Sequence, residues 1–376
     1  MENIFSAAAL VLEQAFASRG FSIWLVGGAV RDTLLGETPK DFDFATDATP
    51  DEQIAVYEAA RIRYVPTGLQ HGTLTAIIDD EPFEVTTLRT ESDHDGRYAT
   101  MTFTRSLVDD LARRDLTINA MAMTMAGEVI DPFNGRRDLK NRIVRFVGSA
   151  DDRIREDYLR ILRWVRFHQR FANGHPFDPE TLAAVERHAT GLRQISVERV
   201  WAELSKAITY DHAADMLDML CDSGIAWNIG MPRGYFSAVY MLADRSRDPV
   251  TRLAAFYRSA STIDALALKW KWSAAERKQA KEVSSLLNKV LEPSVQRYLV
   301  AVDGKRAYDV AEAARIMSYA TDIEAWPVPS FPVTGDDLLA RGVKRGPEIG
   351  NELKKMKNTW AASGYVATAR ELLAGL

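Results

Sequence analysis

The segment Leu25-Val26-Gly27-Gly28-Ala29-Val30-Arg31-Asp32, followed shortly by Lys40-Asp41-Phe42-Asp43-Phe44, constrains the fold more than any other part of this 376-residue chain. It predicts a strand, a glycine turn, a short helix and a second strand carrying two carboxylates. Side chains alternate along a strand, so Asp41 and Asp43 point to one face while Phe42 and Phe44 point to a core. Two like charges held that close are unfavourable unless a cation lies between them. Hard oxygen ligands suit Mg²⁺, which keeps waters and takes its remaining ligands from substrate phosphates. The Gly27-Gly28 turn lets backbone amides approach such phosphates, and the helix start after it favours anions. Arg31 adds a forked donor. The pattern points to metal-assisted phosphoryl or nucleotidyl transfer.

The combination resembles the nucleotidyltransferase superfamily to which DNA polymerase beta belongs. A third carboxylate on a nearby strand is common there, and Phe83-Glu84-Val85 fits it. An ordinary exposed strand position explains Glu84 equally well.

The chain is too long for one ordinary core, which predicts two to four domains. With 47% hydrophobic and 26% charged residues it is globular rather than disordered. Up to about residue 145 short strands and helices mix, as in an α/β head. Ile23 to Val26 and Phe42 to Ala45 read as strands. Thr49-Pro50-Asp51-Glu52 reads as a capped helix start. Thr73 to Ile78 and Pro82 to Leu88 form a hairpin through Asp79-Asp80-Glu81. Thr90 to Thr100 is polar and aperiodic, a loop beside the site, and its His94-Asp95 lacks the further ligands a metal phosphohydrolase needs. After Asp151 helical periodicity takes over. Pro327, Pro329 and Pro332 break the chain before a last segment starting at Val333.

Cys221 is the single cysteine, so no disulfide forms within the chain and a cytoplasmic setting is expected. No apolar run reaches membrane-spanning length. The N-terminal Phe5 to Leu12 run lacks a basic flank and is broken by Glu13, so an amphipathic helix is expected rather than a signal segment. Net charge is −5, which argues against wholesale coating of nucleic acid. Yet Arg136 to Arg170 holds eleven Lys or Arg against five Asp or Glu. These arginines either pair with acids on helix surfaces or meet phosphate.

Two further runs carry chemistry. Leu111-Ala112-Arg113-Arg114-Asp115-Leu116-Thr117-Ile118-Asn119-Ala120-Met121 puts arginines near the carboxylates, where their forks match phosphate oxygens. A surface helix with an Arg–Asp pair is the plainer alternative. Asp131-Pro132-Phe133-Asn134-Gly135 reads as a structural turn. Arg155-Glu156-Asp157-Tyr158-Leu159-Arg160-Ile161-Leu162-Arg163-Trp164-Val165-Arg166-Phe167 reads as one helix, with Asp157, Arg160, Arg163 and Arg166 as a slanting row. That row is either a salt-bridged face or a base reader. Asp157 accepts and Arg160 donates. Cytosine and adenine both offer an amino donor beside a ring acceptor, so one Asp–Arg pair satisfies either. Uracil and guanine present the reverse order and would leave buried groups unpaired.

In this order the motifs resemble the class II tRNA nucleotidyltransferase and poly(A) polymerase family, specifically from Trp24 to Ile208 and including Ser196-Val197-Glu198-Arg199-Val200-Trp201-Ala202-Glu203-Leu204. The resemblance implies an α+β chain: a nucleotidyltransferase head over 1–150, a helical neck with base recognition over 151–210, a helical body over 211–326 and a helical, RNA-binding tail over 327–376. It implies that Gly27, Gly28 and Arg31 meet the triphosphate, that Asp41 and Asp43 hold metal with Glu84 as the third carboxylate, and that Arg114 meets the nucleotide. Asp157 and Arg160 would read the base, supported by Arg163 and Arg166, while Glu198, Arg199 and Glu203 would brace the neck. The implied reaction is Mg²⁺-dependent, two-metal addition of CCA to the 3′ end of tRNA from CTP and ATP, with no nucleic-acid template. No membrane and no stable protein partner is implied. Addition of poly(A), of CC alone or of A alone remains open within the family, and a non-catalytic RNA-binding protein is the remote alternative.

Overall fold

Apolar residues alternate along the early strands, and that alternation builds a sheet with two different faces. In the computed structural model, residues 5–39, 41–92, 100–242, 246–257, 259–286, 301, 327 and 329–374 are described. Their strands are β1 (Ile23–Val26), β2 (Asp43–Thr46), β3 (Arg63–Gly68), β4 (Thr73–Ile78), β5 (Glu81–Thr87), β6 (Arg89–Ser92), β7 (Thr100–Phe103), β8 (Ala122–Met123) and β9 (Val129–Ile130). Seven of them form one mixed sheet in the order β3-β4-β5-β2-β1-β8-β9. Strands β1 and β2 are antiparallel, whereas β2 and β5 are parallel and bring Asp43 opposite Glu84.

On one face Ile23, Leu25, Phe44, Phe83 and Val85 share a core with helices α1 (Ala7–Ala17) and α3 (Pro50–Ala60), which contribute Leu12, Phe16, Val56 and Tyr57. Phe42 packs against the same core. The opposite face carries Val26, Ala45 and Ala122. By alternation this second face also receives Asp43 and Glu84. Thr49 caps α3 with a reciprocal capping box to Glu52, as its sequence predicts. The hairpin turn is tighter than expected. Asp79 and Asp80 alone form it, both at positive φ (50° and 63°), and Glu81 already pairs with Ile78. Two consecutive positive-φ residues match the twist of the flanking strands.

The polar run expected to be a loop is partly a two-stranded ribbon. Arg89–Ser92 pairs antiparallel with Thr100–Phe103. Its first strand, Arg-Thr-Glu-Ser, carries no apolar residue, so periodicity alone misses it. His94 and Asp95 lie outside the described residues.

Helices α2 (Gly28–Leu34), α4 (Leu107–Ala112) and α5 (Gly135–Lys140) complete the sheet region, followed by α6 (Ala150–Glu156), α7 (Arg160–Phe171), α8 (Pro179–His188) and α9 (Val197–Ala207). The helix expected across Arg155–Phe167 is broken. Asp157 is extended (φ −154°, ψ 108°), and its Oδ1 accepts from the Leu159 amide at 3.0 Å. An Asp side chain can substitute for a backbone partner in this way and so favours a helix boundary. Arg160, Arg163 and Arg166 therefore share α7, and Asp157 approaches from the preceding turn. On the other side of α7, Ile161, Leu162, Trp164 and Val165 are buried, and Trp164 Nε1 donates to the Val144 carbonyl at 2.8 Å.

The chain divides into two units, Met1–Ala207 with Met219–Met231, and Ile208–Asp218 with Pro232–Leu376. The second unit is helical where described. Within it Arg252 is fully buried, and its guanidinium donates to the carbonyls of Ser246, Ile208 and Tyr210. Three acceptors offset the cost of burying that cation. Its last helices, Gly335–Ala340, Pro347–Ala362 and Ala369–Leu373, close over Val333, Leu338, Met356 and Trp360. No described helix is long and apolar enough to cross a membrane.

Candidate active site

A cavity of about 800 Å³ opens over the second face of the sheet, lined by Gly27, Gly28, Arg31, Asp41, Asp43, Arg113, Arg114, Asp115, Asn119, Asp157, Arg160, Arg163, Arg166, Phe167 and Arg170. Seven arginines face four aspartates, so an anion is favoured there. Of the residues singled out from the sequence, all but Glu84 line it. Glu84 stands beside Asp43 in the β2–β5 register and is exposed.

Gly27 ends β1 at φ +71°, ψ −128°, a conformation that only glycine adopts without strain. A Cβ there would lie 2.6 Å from Arg114 Nη1. The missing side chain is thus what lets Arg114 reach the start of α2. Gly27→Ala is expected to cost about 1–3 kcal/mol in backbone strain, read as a lowered urea midpoint. An unchanged midpoint would mean that the turn relaxes freely.

Arg114 is held by Asp110, Nη2 to Oδ2 at 3.3 Å, while its Nε is buried with no partner among the described residues. Burial pushes the Arg114 guanidinium below its usual range, partly offset by Asp110. An incoming phosphate oxygen would supply the missing acceptor. Arg31 is buried; its Nη1 donates to Asn119 Oδ1 at 2.5 Å, its Nε to Asp32 at 2.9 Å, and its guanidinium stacks 4.5 Å over the Phe171 ring. Arg170 continues the row, bonding Asp32 at 3.3 Å and Glu37 at 2.9 Å.

The carboxylate end is oxygen-only. Burial pushes the Asp43 carboxyl up and the neighbouring Asp41 charge adds to this, while Arg114 pulls it down. A divalent cation between the two aspartates would remove that penalty, so the donor set fits Mg²⁺. Among the described residues no three His, Cys, Asp or Glu side chains gather as a metal group. Further ligands would then be waters or phosphate oxygens, the ordinary habit of Mg²⁺.

At the opposite end, Asp157 Oδ2 accepts from Arg199 Nη2 at 2.7 Å, and Arg166 Nε donates to Glu203 Oε2 at 2.5 Å. Arg160 donates to Glu156 and, at 3.1 Å, to the Arg153 carbonyl. Much of the basic excess between Arg136 and Arg170 is thus paired with acids inside and outside that segment. Sequence reasoning did not single out Arg113, Asp115, Asn119, Phe167 and Arg170 as site residues. Arg113, Asp115 and Asn119 do lie in the same run as Arg114, which could have flagged them. The turn Asp131–Gly135 is structural as expected: Asp131 accepts from the Gly135 and Arg136 amides at 2.7 and 2.9 Å. A Cβ on Gly135 would strike the Thr117 carbonyl at 2.2 Å, so glycine is required for α5 to press against the Thr117–Asn119 turn.

Residues 23–145 match the family described as Poly A polymerase head domain, and residues 176–229 match Probable RNA and SrmB- binding site of polymerase A. The chain is 37% identical over 394 residues to the CCA tRNA nucleotidyltransferase 1, mitochondrial, of Danio rerio, across 100% of this chain and 91% of that protein. It is 34% identical to the CCA-adding enzyme of Geobacillus stearothermophilus, across 91% of this chain and 76% of that enzyme. The solved Bacillus stearothermophilus CCA-adding enzyme in complex with CTP aligns with a TM-score of 0.69 at 29% identity, covering 97% of this chain and 94% of the other.

Proposed function

Because the chain belongs to the class II tRNA nucleotidyltransferase and poly(A) polymerase family, and is accordingly a nucleotidyltransferase, we propose that it adds CCA to the 3′ end of tRNA from CTP and ATP without a nucleic-acid template. The observation that carries this reading is one cavity holding both the Asp41–Asp43 pair and the Asp157–Arg160 pair. Full-length relatives named for CCA addition support it. So does the likeness to the solved Bacillus stearothermophilus CCA-adding enzyme in complex with CTP.

In this reading the RNA 3′-hydroxyl oxygen attacks the nucleotide α-phosphorus and releases its proton to solvent, an O–P bond forms, and the bond to the bridging oxygen breaks so that pyrophosphate leaves. Asp41 and Asp43, with Glu84 as a third carboxylate, would hold Mg²⁺ in two-metal fashion, and the metal would supply activation of the hydroxyl and stabilisation of the leaving group. Gly27 and Gly28 leave room for the phosphates, and Arg31 and Arg114 bind them. Asp157 and Arg160 read the base edge, and Arg163 and Arg166 support the nucleotide. Positioning and charge stabilisation carry the rate, since no covalent protein intermediate is needed. The division into head (1–150), neck (151–210), body (211–326) and RNA-binding tail (327–376), and a cytoplasmic site of action, belong to the same reading.

The test is a tRNA lacking its 3′ end, incubated with each nucleotide separately and with CTP and ATP together. CTP alone should add two residues, and ATP should then add one. A run of adenosines from ATP alone would identify a poly(A) polymerase. Growth stopping at CC, or requiring a CC end, would identify a partial enzyme. No pyrophosphate release with any nucleotide would leave only RNA binding.

A further inference from the structure

We propose that Asn119 is a positioning residue that ties the phosphate end of the cavity to the base end, so that the two are set as one unit. The inference rests on the nucleotidyl-transfer reading and deepens it. Asn119 Oδ1 accepts from Arg31 Nη1 at 2.5 Å, and its Nδ2 donates to Asp115 Oδ1 at 3.3 Å. Asp115 Oδ2 in turn accepts from Arg163 Nε at 2.8 Å and pairs with Nη2 at 2.6 Å. The path Arg31–Asn119–Asp115–Arg163 runs from α2, beside the glycine turn, to α7, between Arg160 and Arg166.

The chemistry of the link is specific. One end meets a cation and needs an acceptor, and the other meets a carboxylate and needs a donor. Among side chains of this length only the asparagine amide provides both without charge. Aspartate would keep the acceptor but set a second carboxylate against Asp115. Leucine would provide neither. Both Asn119 and Asp115 are buried, so an unmet partner on either side is not rescued by bulk water. The link is also held from behind. The Ala120 amide donates to the Thr117 carbonyl at 3.0 Å, and Thr117 Oγ1 donates to the buried Asp138 at 2.6 Å. Burial alone would raise the Asp115 carboxyl, but Arg163 and the bond from Asn119 reverse this and hold it below the usual range.

The consequence is that a change at Asn119 alters base choice, although its nearest cation belongs to the phosphate end. The experiment is single-nucleotide incorporation of CTP and UTP on tRNA lacking CCA, by wild type, Asn119→Asp and Asn119→Leu. Thermal midpoints are measured alongside. Loss of a hydrogen bond to a charged group predicts a roughly 10- to 100-fold fall in kcat/KM for CTP in both variants. The CTP-over-UTP preference should narrow in both. Asn119→Leu should also raise KM for both nucleotides, because Arg31 loses its acceptor; the shift should be smaller in Asn119→Asp, which keeps one. Wild-type preference retained in Asn119→Asp, with any loss shared equally by CTP and UTP, would overturn the proposal even if Asn119→Leu fails to fold. A wild type that incorporates neither nucleotide would instead refute the function on which the proposal rests.

Discussion

Asp43→Ala, and equally Asp41→Ala, is expected to abolish nucleotide incorporation, by roughly 10³-fold or more, while the protein stays folded. Several kcal/mol of charge stabilisation would be lost with the metal ligand. Both side chains are exposed at the cavity, so neither supports the core. A stability measurement separates a metal role from a structural one. Although the side chain reaches solvent, the surrounding cavity walls partly desolvate it, and this together with Asp41 outweighs Arg114 and raises the Asp43 carboxyl above its ordinary value. A group raised in the folded state binds its proton more tightly there, so the stability it contributes is present at low pH and is lost as pH rises through its folded pKa. At neutral pH the ionised Asp43 therefore costs stability in the metal-free protein. Asp43→Asn should leave the urea midpoint unchanged or higher while incorporation collapses. The same shift sets the acid side of the activity profile. Protons would compete with a cation held by Asp43, so activity should begin to fall at a higher pH than an unperturbed carboxylate would dictate. Near-normal Mg²⁺-dependent incorporation by either alanine variant would remove the metal assignment.

The carboxylate pair was legible in the sequence because it depends on a local rule. Strand alternation sends Phe44 to the core with α1 and α3 and Asp43 to the cavity, and Phe42 and Asp41, just before the strand begins, keep to the same two sides. The glycine turn was legible for a similar reason, although its purpose was not. That a side chain at Gly27 would collide with Arg114 depends on residues far apart in the chain. Local rules failed where two of them competed. The three-residue spacing of Asp157, Arg160, Arg163 and Arg166 fits a helix, but an aspartate that can take the Leu159 amide favours a break. The ribbon escaped because Arg89–Ser92, which pairs with Thr100–Phe103, carries no apolar residue and so offers no alternation to read. Asn119 and Arg170 escaped for a tertiary reason. Each takes a decisive partner from an element distant in sequence: Arg31 for Asn119, beside its local bond to Asp115, and Asp32 with Glu37 for Arg170.

The break before Arg160 sharpens the second large effect, expected from Asp157→Ala. Asp157 is bound twice, by the Leu159 amide on Oδ1 and by Arg199 on Oδ2. Each carboxylate oxygen can accept more than one hydrogen bond, so acceptor capacity remains for a base amino group. Fixed in this way at the cavity wall, the carboxylate would favour cytosine and adenine and repel the carbonyl that uracil or guanine presents at the same place. Alanine removes the favourable bond and the repulsion together. Discrimination against UTP and GTP should therefore shrink by roughly 10- to 100-fold, the worth of one hydrogen bond to a charged group. Triphosphate binding through Arg31 and Arg114 should change less. Because alanine also removes the bond to the Leu159 amide, Asp157→Asn is the companion variant: its side-chain oxygen can still accept from Leu159, but its amide can donate to a carbonyl. If reading rather than capping matters, the asparagine variant should accept UTP while its thermal midpoint stays near that of the wild type. The measurement is incorporation of all four nucleotides on tRNA ending at the discriminator base and on tRNA ending in CC. Full preference for C and then A in both variants would mean that Asp157 only braces the turn between α6 and α7, and that base choice is made elsewhere in the cavity.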